Sequence, residues 1–307
     1  MTIGRLRLKP ISYDFPPWRP PSEAGSLLVR VTRGCTWNKC SFCSMYKDLT
    51  FRRRPVEEVK ADIQAAASLY SDEVRTVFIG DSNSPSIQTD DFVDILRELY
   101  ALFPATQRIT SYARAKTLLK KPAGELRRLR QAGLTRLHVG LETGNPELLK
   151  KIKKGATPDE MVAGCRKAKE ASFELSLYVL LGLGGEALSE AHARDTVAVL
   201  NRIDPDFIRV RTLQPQPGSE LYDDMEAGTF IRASHASVLK EQRIVVENLD
   251  VQSEYLSDHI TNYISVNGRL PGDRQAMLRT IEEHTACLAH NAALKARFAS
   301  RDALQSL

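Results

Sequence analysis

Residues 33–43 read Arg-Gly-Cys-Thr-Trp-Asn-Lys-Cys-Ser-Phe-Cys and follow the first strand-like segment of the chain. This run places three cysteines, Cys35, Cys40 and Cys43, within nine residues. Cysteine thiolates are the usual protein ligands of iron–sulfur clusters, and three of them leave one iron of a four-iron cluster open to an outside ligand. The run therefore predicts a [4Fe-4S] cluster held by these three cysteines.

Two other uses of the cysteines are considered. A structural zinc site takes four protein ligands, usually as two close pairs, and only Cys40 and Cys43 have that spacing. Cys165 and Cys287 stand alone far along the chain. A disulfide framework is disfavoured because five cysteines are odd in number and no secretory leader is evident. A cluster is thus preferred, and zinc stays open as an alternative.

Strand-like and helix-like segments alternate along the chain, beginning with the strand that precedes the cysteine run. The strands are predicted at 27–32, 76–79, 108–111, 136–139, 175–181 and 207–213, and the helices at 57–69, 90–103, 116–132, 157–171 and 188–203. Strands joined by helices pair in parallel, which predicts an α/β barrel or part of one. Ligands in such folds bind at the carboxyl ends of the strands, where the cysteine run lies.

Three regions are predicted along the 307 residues: a Pro-rich arm at 1–25, the barrel core at 26–218 and a mainly helical extension at 219–307. Helical patterns in the extension occupy 238–248 and 275–299. With 42% hydrophobic and 26% charged residues, the composition is that of a globular protein. No apolar run approaches the roughly 20 residues that span a bilayer, so no membrane role is expected. The net charge of +5 keeps nucleic-acid binding open.

Several features together resemble the radical S-adenosylmethionine (radical SAM) superfamily: Gly34 before the first cysteine, Phe42 before the last, and the strand–helix alternation. The commonest spacing in that superfamily has three residues between the first two cysteines, whereas this chain has four. Residues 139–150, with Lys154 and Gly155, resemble a signature of the methylthiotransferase and elongator-acetyltransferase branches. The resemblance covers about residues 26–218 and implies a partial (β/α)6 TIM-like barrel followed by the helical extension.

The resemblance also implies a cofactor, S-adenosylmethionine, bound by loops at the carboxyl ends of the strands. The residues expected to contact it are Phe42, Gly80, Asp81, Ser82, Ser111, Arg114, Glu142, Gly182, Gly184 and Arg211. Structural explanations stay open for some of them, such as a helix cap after the second strand or a salt bridge of Arg114. Gly182 and Gly184 also fit a dinucleotide-binding fingerprint, but the acid expected at the end of the following strand is missing.

The function implied by the resemblance is that of a radical SAM enzyme. Its reduced cluster would cleave S-adenosylmethionine to methionine and a 5′-deoxyadenosyl radical, which takes hydrogen from an unidentified substrate, a small molecule or RNA. The residues that act on the substrate are not predicted. An electron donor such as flavodoxin or ferredoxin is expected, and reduced thiolates point to the cytoplasm. The alternatives are a non-catalytic iron–sulfur electron carrier or sensor and a zinc-stabilised nucleic-acid-binding module.

Overall fold

The computed structural model describes residues 18–70 and 73–304. Most of the predicted Pro-rich arm lies outside the described residues, which contain only its last eight positions, 18–25. The strands of the described part are β1 (Leu27–Arg30), β2 (Thr32–Arg33), β3 (Arg52–Arg53), β4 (Thr76–Gly80), β5 (Arg108–Ala113), β6 (Leu134–Glu142), β7 (Glu174–Leu181), β8 (Phe207–Thr212), β9 (Glu254–Leu256) and β10 (Asn267–Arg269).

Helices alternate with the larger strands. They are α1 (Val56–Tyr70), α2 (Thr89–Leu102), α3 (Ala115–Lys120), α4 (Ala123–Gln131), α5 (Pro146–Lys151), α6 (Pro158–Glu170), α7 (Gly185–Ile203), α8 (Glu220–Glu226), α9 (His235–Asn248), α10 (Arg274–Leu288) and α11 (Ala292–Asp302). The main sheet has the order β1-β4-β5-β6-β7-β8-β9-β10. All its neighbours pair in parallel except β9 and β10. The predicted α/β fold with six parallel strand–helix units is confirmed.

The two faces of the sheet have different chemistry. Successive side chains of a strand point to opposite faces, and aliphatic residues such as Val77 belong to the hydrophobic core that the helices share. The opposite face carries a row of aromatic rings from four neighbouring strands, Phe78, Tyr112, His138 and Tyr178, whose centroids follow one another at 5.1–6.1 Å. The interior of the partial barrel is therefore aromatic and polar, and the aliphatic core lies outside it.

Helix boundaries depart from the sequence prediction at two places. The single helix predicted at 116–132 is two helices, α3 and α4, which are separated at Lys121 and Pro122. Proline has no amide proton and restricts the residue before it, so a helix ends there. The helix predicted at 275–299 is likewise divided, and Asn291 begins α11 by accepting a hydrogen bond from the Leu294 amide. The helix predicted at 157–171 is α6, which begins with a capping box formed by Thr157 and Glu160.

The C-terminal extension is more than a set of helices. It adds β9 and β10 to the edge of the main sheet, and these strands of three residues each were not predicted. Its helix α9 packs against α7, and Val245 and Phe298 belong to the same hydrophobic core as Val31 beside the first strands. The extension therefore shares its core with the barrel. Within residues 18–70 and 73–304, every helix is too short or too polar to cross a lipid bilayer.

The segment before β1 carries a fully buried acid. The Glu23 carboxylate accepts hydrogen bonds from Ser26 at 2.7 Å and from Arg108 at 3.3 Å, and it lies 3.1 Å from His138 Nε2. Burial raises its pKa, but the hydrogen bonds from His138 and Ser26 outweigh burial and lower the pKa to about 2. Because Glu23 is ionised, the His138 nitrogen that faces it carries a proton. Arg108 begins β5, so this segment covers the amino-terminal end of the barrel.

Candidate functional site

The cysteine loop, residues 34–51, is closed at its base by the antiparallel pairing of β2 and β3. Gly34 begins the loop with φ of +75°, a left-handed conformation that glycine adopts without strain. Its amide donates to Asp81 Oδ2 at 3.1 Å, and its carbonyl accepts from Ser82 Oγ at 3.0 Å. The segment after β4 therefore fixes the start of the cysteine loop.

Asp81 is placed differently from the sequence expectation. Its carboxylate also pairs with Arg30 at 3.1 Å, and the two side chains are only 2% and 3% exposed. It is not among the residues that line the cavity beside the cysteines. The carboxylate thus binds the loop amide and Arg30, and its expected contact with a cofactor stays a prediction.

The three cysteines line one cavity at the carboxyl ends of the strands, and each is partly exposed there. The loop between them is shaped by Asn38, whose side-chain amide donates to the carbonyl of Tyr46 at 2.5 Å. Among residues 18–70 and 73–304, no three His, Cys, Asp or Glu side chains meet at a point suited to a single metal ion. Cysteines that hold a cluster bind separate irons, so they need a shared cavity rather than a shared point.

Burial controls the charge of these thiols before metal is bound. It raises the pKa of Cys43 to about 11 and raises that of Cys40, although Lys154 acts in the opposite direction on both. The Cys40 and Cys43 thiols are thus protonated at neutral pH and release protons when they bind metal. A donor set of three thiols on one loop fits an iron–sulfur cluster.

The cavity has a volume of about 280 Å³. Half of the predicted cofactor residues line it together with the cysteines, namely Phe42, Ser82, Arg114, Glu142 and Arg211. The other half are not among its lining residues, namely Gly80, Asp81, Ser111, Gly182 and Gly184. The Ser111 hydroxyl donates to the Tyr112 carbonyl, and a Cβ on Gly182 would meet Val238 of α9. These five residues therefore do not face the cavity as its lining does, and their expected cofactor contacts stay predictions.

Glu142 forms an ion pair inside the cavity that sequence reasoning did not predict. Lys154 Nζ lies 2.8 Å from Glu142 Oε1, and the two side chains are 14% and 11% exposed. The same ammonium lies 5.7 Å from the centroid of the Phe42 ring. Burial lowers the pKa of Lys154, but Glu142 and Cys40 outweigh burial and raise it. Lys154 is therefore a fixed positive charge between the cysteine loop and β6.

Arg114 belongs to the same wall of the cavity. Its guanidinium donates to the Lys154 carbonyl at 3.2 Å and lies 5.1 Å from the centroid of the Trp37 ring. Trp37 Nε1 in turn donates to the carbonyl of Lys153 at 2.7 Å, which ties the cysteine loop to the segment after α5. Trp37 is one of the four residues between the first two cysteines, and it packs against Gly155. Trp37 thus supplies a contact that positions the cysteine loop.

The turn after β7 is held by the C-terminal extension. Glu241 of α9 accepts a hydrogen bond from the Gly182 amide at 2.6 Å. Burial raises the pKa of Glu241 to about 8 and lowers that of His192 to about 4. Both groups are therefore uncharged at pH 7, and their 3.9 Å approach is not an ion pair. This buried acid was missed because its partner lies 59 positions earlier in the chain.

The aromatic interior forms the remaining wall of the cavity, to which Tyr112, His138 and Tyr178 contribute. Tyr178 Oη lies 3.5 Å from His138 Nδ1, and Glu23 holds the other nitrogen of that ring. A sequence signal for these residues exists, since they alternate with core aliphatic residues along β5, β6 and β7 and so belong to the opposite face of the sheet.

This architecture defines an α/β partial-barrel protein that presents three cysteines from the loop after its first strand. The chain belongs to the radical SAM superfamily, because the Radical SAM superfamily model matches residues 29–196, more than half of the chain. Its cofactors are a [4Fe-4S] cluster and S-adenosylmethionine, as in other members. The resemblance inferred from the cysteine run is confirmed.

The individual proteins that this chain resembles are only distantly related to it in sequence. The Heme chaperone HemW of Bacillus subtilis (strain 168) is 23% identical over 195 residues, which cover 62% of this chain and 51% of the relative. The tRNA-2-methylthio-N(6)-dimethylallyladenosine synthase of Thiobacillus denitrificans is 26% identical over 225 residues, which cover 68% and 48%. The chain thus spans about half the length of these curated relatives. The crystal structure of methylornithine synthase matches with a TM-score of 0.53 and 18% identity over 83% of this chain and 68% of that one, which shows the shared fold.

Proposed function

We propose that this protein is a radical SAM enzyme that cleaves S-adenosylmethionine reductively and uses the product radical to take hydrogen from a substrate. The observation that carries the proposal is the convergence of three cysteines, Glu142 and Arg114 on one cavity at the carboxyl ends of parallel strands. Membership of the superfamily supports the binding of the cluster and S-adenosylmethionine, and the shared cavity supports the proposal that they react with each other.

Each residue group has a separate task in this proposal. Cys35, Cys40 and Cys43 hold three irons and leave the fourth open. When bound, the reduced cluster supplies the electron that splits the sulfonium of S-adenosylmethionine into methionine and a 5′-deoxyadenosyl radical. Arg114 presents a planar guanidinium, which suits the cofactor carboxylate. Glu142 accepts a hydrogen bond from the cofactor's ribose or amino group, and Lys154 holds that carboxylate in place through their 2.8 Å ion pair.

The interior wall protects the reaction. Tyr178 is buried and Tyr112 is partly buried, and burial raises the pKa of both phenols, so they remain uncharged. Packed aromatic rings restrict the water and oxygen that reach a radical formed above them. Ser82 and Phe42 complete the cofactor-facing wall.

The substrate and partners belong to the proposal as well. The relatives are named for haem and for tRNA, which keeps both a small molecule and RNA as substrate classes. An electron donor such as flavodoxin or ferredoxin reduces the cluster, and we place the protein in the cytoplasm, where thiolates stay reduced.

The test uses anaerobically reconstituted protein. We expect about four irons per chain and formation of 5′-deoxyadenosine with dithionite and S-adenosylmethionine. Cys40→Ala loses both, whereas Cys287→Ala, which removes an exposed cysteine of α10, retains both. Cofactor cleavage that survives Cys40→Ala contradicts the proposal. A cluster that assembles without any cleavage of the cofactor supports a non-catalytic role instead, such as an electron carrier or the chaperone role for which the HemW relative is named.

A further inference from the structure

A second cavity opens beside the first on the open side of the barrel. It lies between β8, the start of the loop after β9 and the segment before β1, and its volume is about 510 Å³. Tyr178 and Arg211 line both cavities and form the boundary between them. The charged and titratable groups that face this second cavity are Arg209, Arg211, Asp258, His259 and Tyr178. A group bound here therefore lies next to the cofactor cavity.

Two arginines dominate the charge of this cavity. Arg209 and Arg211 are two positions apart on β8, so their side chains leave the same face of the strand. Arg209 Nε donates to the Ser176 hydroxyl at 3.2 Å, and the Arg211 guanidinium lies 5.0 Å from the centroid of the Tyr178 ring. Neither guanidinium pairs with a carboxylate in the part of the chain that the structure describes.

The other titratable groups do not cancel this charge. Burial and the nearby Arg211 lower the pKa of His259 to about 4, so its ring is neutral at pH 7. Asp258 is exposed at the rim and contributes one negative charge against two positive ones. Two partly buried guanidinium groups that face one cleft repel each other, and this repulsion raises the free energy of the empty cavity. An anion bound between them offsets the repulsion.

We propose that this second cavity binds an anionic group of the substrate, a carboxylate or a phosphoryl group, through Arg209 and Arg211. A guanidinium matches the paired oxygens of either group with two parallel hydrogen bonds. The bound anion anchors one end of the substrate while the rest passes Tyr178 into the first cavity. This inference rests on the proposed function, because it names the substrate class of that same site.

The test measures anion binding without turnover. Inorganic phosphate and ¹³C-labelled acetate are titrated separately into the reconstituted, oxidised protein at constant ionic strength and followed by ³¹P and ¹³C line broadening. S-adenosylmethionine is present throughout to occupy the open iron. We expect saturable binding of at least one probe and at least a tenfold loss of affinity in Arg209→Met. Arg209→Lys keeps the positive charge but lacks the two parallel donors of the guanidinium, so its affinity lies between those of the wild type and Arg209→Met. The control is Arg127→Met, an exposed position of α4, which binds as the wild type does.

Each outcome decides the matter. Binding of phosphate alone identifies a phosphoryl group, and binding of acetate alone identifies a carboxylate. Binding of neither probe, or equal binding in Arg209→Met and the wild type, overturns the proposal. If Arg209→Met does not fold, phenylglyoxal labelling of the wild type replaces it: the probe anion must protect Arg209 and Arg211 but leave Arg127 reactive. Formation of 5′-deoxyadenosine without anion binding overturns this inference alone, whereas anion binding without cofactor cleavage overturns the proposed function alone.

Discussion

Replacement of Asp81 by asparagine tests whether this residue supports the cysteine loop or contacts the cofactor. Asparagine keeps the shape of the side chain and an oxygen that accepts from the Gly34 amide, but it removes the charge that faces Arg30. Both side chains of the pair are almost fully buried, at 2% and 3% exposure. Loss of one partner of such a pair costs about 3–5 kcal/mol, because the remaining charge stays in a poorly hydrated site.

The expected loss of stability is therefore about 4 kcal/mol, with a weaker bond to Gly34 included. For a domain of this size that corresponds to a fall in Tm of roughly 8 °C. The assay is thermal unfolding of the anaerobically reconstituted protein, with the iron content of each preparation measured in parallel. We also expect less retained iron, because the Asp81 carboxylate fixes the amide that begins the cysteine loop.

Asp91→Asn is the matched control, since Asp91 is exposed in the first turn of α2 and its replacement costs less than about 1 kcal/mol. The structural role of Asp81 is refuted if Asp81→Asn unfolds within about a degree of the wild type, since the loss worked out above is several times larger. A normal Tm with weakened S-adenosylmethionine binding would restore the cofactor contact that the sequence suggested.

Three further predictions concern stability. Glu23→Gln lowers the free energy of unfolding by about 2–3 kcal/mol at pH 7, because the ionised acid is stabilised in the folded state. Since the folded-state pKa lies below the ordinary 4.5, this stabilisation is complete above about pH 5 and declines as pH falls toward 2, so urea unfolding of both proteins should show the gap narrowing with acid. Glu241→Gln should change the pH dependence in the opposite sense. Because the folded-state pKa of Glu241 is about 8, the free energy of unfolding of the wild type falls by about 2 kcal/mol between pH 6 and pH 8, and the variant lacks this fall. A wild type whose Tm falls no more than the variant's between these pH values contradicts this prediction. Gly155→Ala lowers Tm and changes the tryptophan fluorescence, because the new Cβ would lie 2.3 Å from the Trp37 ring at a backbone φ of +74°. The control is Gly124→Ala, where a Cβ meets nothing within 4 Å, so the fluorescence is unchanged and Tm is unchanged or slightly higher.

Short stretches of sequence were enough to predict the class of this protein. The three cysteines lie within nine residues, and the six parallel strands of the barrel are recognised from the period of their own apolar positions. The capping box of α6 is likewise local, since Thr157 and Glu160 are three positions apart. The parallel sheet and the superfamily therefore followed from the sequence alone, and the same cysteine run is the basis for the predicted cluster ligands.

The partners of the site residues depended on packing between distant segments. Arg30 and Asp81 are 51 positions apart, and Glu23 and His138 are 115 apart. Motif resemblance placed Asp81 beside the cofactor, whereas its neighbour in space turned it toward the cysteine loop. A carboxylate after a strand looks the same in sequence whether it binds a ligand or a buried guanidinium. Only the folded arrangement, which brings particular charges within 3–4 Å of one another, separates the two roles.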